Sequence, residues 1–270
     1  MTAAAEYADG RLLLDRPDGA VARLTIANPA KRNALDQGIL DGISAALASL
    51  QGTEVRCVVI TGSERMFSAG YDIGDIPEDV FAEEAEKLVA HPFAAAIDAV
   101  EAFPFPTVAA LNGHAIGGGL ELALSCDLRL AASGTVVGMP PAKLGLVYSH
   151  TGLRKFLDAI GAPRTRELFL TGRTIPAEEA LAWGLVNAVV APHELPGTAL
   201  DWALEIAGNA PLSLQGNKRV IRELLAAEGR LDPDVEAEVV ALRHACFGSA
   251  DFREGVRAFA EKRAPRWQGR

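Results

Sequence analysis

The sequence predicts an α/β fold with parallel strand pairing, followed by a helical C-terminal region, and three observations carry that reading. Strand patterns alternate with helix patterns over roughly the first 130 residues, the signature of crossover connections and parallel pairing. After about Gly161 the strand patterns give way to successive helical segments. The chain of 270 residues, 49% hydrophobic and 23% charged, is long enough to bury a core without a disulfide or metal to hold it.

The elements follow in order. Residues 21–26 alternate apolar and polar and read as a strand that Asn28-Pro29 ends. Leu35, Ile39, Ile43, Leu47 and Leu50 recur at helical spacing, so 36–50 is an amphipathic helix. Residues 56–61 form a β-rich run closed by Gly62, a second helix lies within 83–103, and 107–111 is another strand, which Asn112-Gly113 terminates. A helix starts at Gly117-Gly118-Gly119, and 128–131 is the next strand. Beyond it, 164–170, 177–183, 196–208, 213–227 and 234–246 read as helices. A last helix from about Asp251 to Arg263 has Glu254 placed as in a capping box. We divide the chain softly into a core, 1–200, and a helical region, 201–270.

Charge and composition narrow the partners. A net charge of −9 and a pI near 5.1 argue against nucleic acid, whose phosphates call for clustered Lys and Arg. No apolar run approaches the ~18 residues of a membrane span, and the N-terminus lacks the pattern of a secretory signal. Cys57, Cys126 and Cys246 are far apart and form no CxxC pair, as expected of reduced thiols in a cytoplasmic protein. The five histidines show no metal-ligand spacing, and no bound metal is expected.

Three segments can carry chemistry. In Asn112-Gly-His-Ala-Ile-Gly-Gly-Gly-Leu-Glu121, three successive glycines are costly in a helix. They suit a backbone that approaches a ligand closely, and equally a tight crossing between elements. A helix beginning there presents N–H groups able to hold an oxygen that gains negative charge. Glu121 follows Gly118 by one turn, where a carboxyl group can move protons. Met66-Phe-Ser-Ala-Gly-Tyr-Asp72 reads as a loop leading into a helix, with Gly70 turning the N–H of Tyr71 outward. In Asn28-Pro-Ala-Lys-Arg-Asn-Ala-Leu35, Lys31 and Arg32 make a small basic spot that fits either a phosphate or open solvent. No GxSxG, GxxxxGK[ST], HExxH or GxGxxG template is met.

Taken in order, these segments resemble the crotonase (enoyl-CoA hydratase/isomerase) superfamily over nearly the whole chain. Leu170-Thr-Gly-Arg173, Ala180-Leu-Ala-Trp-Gly-Leu-Val-Asn187 and Phe259-Ala-Glu-Lys-Arg263 are also similar to that family. The resemblance implies a spiral of β-β-α turns and a C-terminal helical region that forms a homotrimer or a dimer of trimers. It implies an acyl-CoA substrate, with coenzyme A as the acyl carrier, and a stabilised thioester enolate. The N–H groups of Tyr71 and Gly118 would form the oxyanion hole. Lys31, Arg32 and Ala69 would contact CoA, Phe259 and Lys262 would reach the CoA of a neighbouring subunit, and 74–92 would line the acyl site. Hydratases of the family pair two glutamates around a water. Here the first is Glu121, and the second falls on Pro141. Pro140-Pro-Ala-Lys-Leu-Gly-Leu-Val-Tyr148 resembles instead the methylmalonyl-CoA decarboxylase branch, which has proline there and a tyrosine matching Tyr148. That branch differs in carrying an imidazole at Tyr71 and a threonine at Pro140. The expected reaction is therefore a decarboxylase-like lyase, with 2-enoyl-CoA hydratase or isomerase as the alternative and a non-catalytic acyl-CoA-binding protein as a different class.

Overall fold

A computed structural model describes residues 5–72, 89–228, 233–266 and 268. Among them, β1 (Ala5–Tyr7), β2 (Leu12–Asp18), β3 (Val21–Ile26), β4 (Cys57–Gly62), β6 (Thr107–Leu111), β8 (Leu128–Ala132) and β11 (Ala188–Val190) form one sheet. The strands β5 (Met66–Ser68), β7 (His114–Ile116), β9 (Val136–Gly138) and β10 (Thr174–Pro176) form a second, smaller one. β3, β4, β6, β8 and β11 run parallel, as do β5, β7 and β9, while β1, β2 and β10 pair antiparallel at the edges. The pairs β4–β5, β6–β7 and β8–β9 each place one strand in the large sheet and the next in the small sheet, with a helix between successive pairs. This is the β-β-α spiral that the family resemblance implied.

The centre of the large sheet is covered on both faces, so β4 and β6 read as nearly continuous apolar runs. Val58, Ile60, Ala109 and Leu111 face the main core with α1 (Gln37–Leu50) and α2 (Ala94–Ala102). Cys57, Val59, Val108 and Ala110 face the other way. There Leu195, Ala199, Ala203 and Ala207 of α7 (Leu195–Ala207) cover them with a four-residue repeat. Asp36 caps α1 by accepting from Ile39 N at 2.9 Å. The helix predicted to begin at the triple glycine is α3 (Gly118–Leu124), and the segment predicted within 83–103 contains α2. Residues 73–88 lie outside the described ones, including most of the stretch expected to line the acyl site and whatever follows the Tyr71 loop.

Two readings need correction. The chain becomes helical before Gly161. After the short α4 (Pro141–Leu144), α5 spans His150–Thr171 and is kinked at Gly161 (φ 68°, ψ 170°), so the predicted 164–170 is only its second half. The last helix, α10 (Ala250–Ala260), starts one residue earlier than expected and is capped by Ser249, which accepts from Phe252 N at 2.9 Å. Glu254 does not close a capping box. It binds Arg263 through two hydrogen bonds of 2.6 and 3.0 Å, which hold its carboxyl down at about 2. The remaining helices, α6 (Ala177–Ala182), α8 (Pro211–Glu228) and α9 (Pro233–Phe247), fall close to their predicted positions.

Candidate active site

The first two singled-out segments meet at the N-terminus of α3. Leu35 N donates to Gly70 O (2.8 Å) and Asp72 N to Leu35 O (3.0 Å), forming a parallel bridge in which the N–H of Tyr71 takes no part. Gly70 has φ +91°, and a Cβ on it would stand 3.0 Å from Gly118 N and 2.8 Å from Ile116 O. The loop and the helix start are therefore pressed backbone to backbone. Among the described residues, the N–H of Gly118, first in α3, has no hydrogen-bond partner in the fold.

Each glycine of the triplet has its own reason. Gly117 sits at φ 56°, ψ −125°, in the left-handed region that favours glycine. A Cβ at Gly118 would lie 2.9 Å from the Tyr71 ring, and one at Gly119 would lie 2.5 Å from Ser68 O. Close approach and tight crossing, both open from the sequence, coexist here at different residues.

Glu121 is 4% exposed, and burial raises its carboxyl to about 7. The Tyr148 hydroxyl donates a short hydrogen bond to Glu121 Oε2, and Tyr71 Oη lies 3.4 Å from Tyr148 Oη. Burial and the adjacent Glu121 push the Tyr148 phenol well above its ordinary value, so it remains protonated. The Tyr71 ring meets Phe93 edge-on at 4.7 Å, and the Tyr148 ring meets Phe169 at 5.6 Å. A buried carboxyl with a raised pKa, two phenols and a set of backbone donors thus share one site. Pro141 is buried at the start of α4 and offers no titratable group.

The other predicted residues sit apart from that cluster or on its rim. Lys31 pairs with Asp72 across 2.7 Å, so its ammonium braces the Tyr71 loop. Arg32 is exposed in the left-handed region (φ 54°), and its carbonyl accepts from Ala69 N at 3.1 Å. Phe259 and Lys262 are exposed at the end of α10, a helix that packs on α4 of the same chain. The site also depends on residues that the sequence did not single out as functional. Asn33, fully buried, binds Ser63 O and Met66 O through Nδ2 (3.0 and 2.7 Å), and accepts from Asn28 N at 2.9 Å through Oδ1. It locks the Asn28–Leu35 turn to β5. Gly152 leaves the space that Glu121 fills. Among the described residues, no group of three or more His, Cys, Asp or Glu side chains is placed to hold a metal, and no helix is long and apolar enough to cross a membrane.

Residues 16–270 match the enoyl-CoA hydratase/isomerase family. The chain is 34% identical over 250 residues to the short-chain-enoyl-CoA hydratase of Clostridium acetobutylicum, covering 91% of this chain and 93% of that protein. A methylmalonyl-CoA decarboxylase complexed with 2S-carboxypropyl-CoA superposes with a TM-score of 0.89 at 30% identity, over 96% of this chain and 98% of the other. An enoyl-CoA hydratase/isomerase from Pseudoalteromonas atlantica superposes with a TM-score of 0.81 at 28% identity, over 96% and 100%.

Proposed function

The chain belongs to the enoyl-CoA hydratase/isomerase family, whose members process acyl-CoA thioesters, and we propose that its own reaction is decarboxylation of a thioester bearing a carboxylate on its α-carbon. The observation that carries this reading is Glu121, the one buried carboxyl among the described residues. Glu121 is buried, protonated up to about pH 7 and bonded to Tyr148, while Pro141 supplies no second carboxylate to activate a water. A neutral Glu121 accepts an anionic acyl group beside it without like-charge repulsion, and it has a proton to give.

In the proposed reaction the bond between the α-carbon and the carboxylate breaks and CO2 leaves. The electron pair passes into the thioester as an enolate. The N–H groups of Tyr71 and Gly118 hold the enolate oxygen, each donor contributing roughly 2.7–4 kcal/mol in the transition state. Glu121 in its protonated state returns a proton to the α-carbon, while Tyr148 donates its hydroxyl to Glu121 Oε2, holding the carboxyl in place and stabilising the carboxylate left behind until it takes a proton from solvent. Lys31, Arg32 and Ala69 are proposed to receive the CoA nucleotide, with the Lys31–Asp72 pair keeping the Tyr71 loop in place. The closer superposition on the decarboxylase than on the hydratase/isomerase supports the lyase reading.

The deciding assay is side by side. Purified protein is expected to release CO2 from methylmalonyl-CoA faster than it hydrates a short 2-enoyl-CoA. The reverse ranking would restore hydration, with Glu121 as a lone acid–base group.

We also propose a homotrimer or a dimer of trimers. Val220, Ile221, Leu224 and Leu225 form an exposed stripe along α8 at i, i+1, i+4 and i+5, and such an apolar face is costly to leave in water. Sedimentation equilibrium is expected to give three or six chain masses, and a monomer at micromolar concentration would overturn this.

A further inference from the structure

Two charged side chains beside Glu121 belong to none of the segments that pointed to the site. Lys155 lies in α5, three residues beyond Gly152 and so on the same helix face. At Gly152 a Cβ would stand 2.9 Å from Glu121 Oε1 and 2.6 Å from the Tyr148 ring, so this face of α5 is the one that closes over Glu121. The Lys155 ammonium forms a close ion pair with the Glu101 carboxylate at the end of α2, and the two side chains are only 19% and 30% exposed. Helix α8 buttresses the Glu101 end. Lys218 Nζ donates to the carbonyls of Val100 (3.4 Å) and Phe105 (3.0 Å), and Arg222 Nη1 donates to Glu101 O (3.5 Å).

An ion pair at the protein surface contributes little by itself. This one is distinguished by where its charges act. Among the described residues, the titratable and charged groups facing Glu121 are Tyr148 from the loop ahead of α5, Tyr71 through Tyr148, Lys155 from α5 and Glu101 from α2. Tyr148 keeps its proton, and the full charges in this set are those of Lys155 and Glu101. The ammonium favours a carboxylate at Glu121, and the Glu101 carboxylate disfavours it.

We propose that Lys155 and Glu101 are positioning residues that adjust, on top of burial and the Tyr148 hydrogen bond, how readily Glu121 gives up its proton, their mutual neutralisation keeping this wall of the site uncharged when an anionic acyl group binds. Breaking the pair from either side has opposite consequences. Without the Glu101 charge a bare ammonium remains, and Glu121 gives up its proton more readily. Without the Lys155 charge a second carboxylate remains unpaired, and Glu121 holds its proton more tightly. The inference rests on the preceding reading only in treating Glu121 as the proton-carrying group.

The test needs no turnover, so its failure is separable from failure of the decarboxylase assay. In ligand-free protein, the infrared C=O stretch of the protonated Glu121 acid, identified by its absence in Glu121→Gln, is followed against pH. Glu101→Gln is expected to move its midpoint down by about half a pH unit or more, and Lys155→Met to move it up by a similar amount. The double variant should return near the wild-type midpoint, and Lys155→Arg, which keeps the charge, should leave it there. Shifts of both single variants in the same direction, or no shift in either, would overturn the proposal. A purely structural role would disturb both singles alike and would not be restored in the double variant.

Discussion

Replacing Gly118 with proline is expected to lower thioester turnover by at least about two to three orders of magnitude relative to Gly118→Ala. Proline is tolerated in the first turn of a helix, and Gly118 opens α3. Its N–H supports no hydrogen bond within the described fold, so removing it costs the scaffold little. The enolate, by contrast, loses one of the two donors assigned to its oxygen. Any side chain at this position also crowds the Tyr71 ring, which a Cβ would approach to 2.9 Å. Gly118→Ala is therefore the control, because it imposes the crowding and keeps the N–H. Steady-state rates of the two variants separate these effects. A proline variant as active as the alanine variant would remove Gly118 from the oxyanion hole.

The same residues show what could be read before the structure and what could not. Alternation marks β3 as 21–26, apolar β-rich runs mark β4 and β6 as 56–61 and 107–111, and β8 is visible as 128–131. The small sheet escaped because β5, β7 and β9 are three residues each, too short for any period to appear, and they pair only with one another or with β10. The first half of α5 was hidden by its glycine-containing start and by Gly161, whose extended backbone at positive φ interrupts the helical pattern. Backbone donors announce themselves as glycines, which is why the Tyr71 loop and the triplet stood out. Lys155 and Glu101 do not, because nothing local marks two charged residues 54 positions apart as partners. The fold alone brings them to Glu121.

Glu121→Gln is expected to reduce turnover by about two to four orders of magnitude and to change how stability depends on pH. The glutamine keeps the shape and a hydrogen-bonding partner for Tyr148 but has no proton to deliver. In the wild type, the carboxyl is raised from 4.5 to about 7 by burial, so the folded state binds more protons than the unfolded state between those values. Stability from this group is then full below about pH 4.5, declines as pH rises through 7 and is flat above it. A shift of this size in a buried group is worth on the order of 3 kcal/mol. Urea unfolding should accordingly show the variant gaining on the wild type between pH 5 and pH 8. An unchanged difference across that range would mean that Glu121 is not held protonated. The activity profile decides its role separately. If Glu121 acts as the acid, wild-type kcat falls as pH rises through about 7, whereas a carboxylate base activating water requires kcat to rise through the same range. Both directions follow from one buried carboxyl, and a proline at position 141 in place of a second glutamate is what makes the falling limb the expected one.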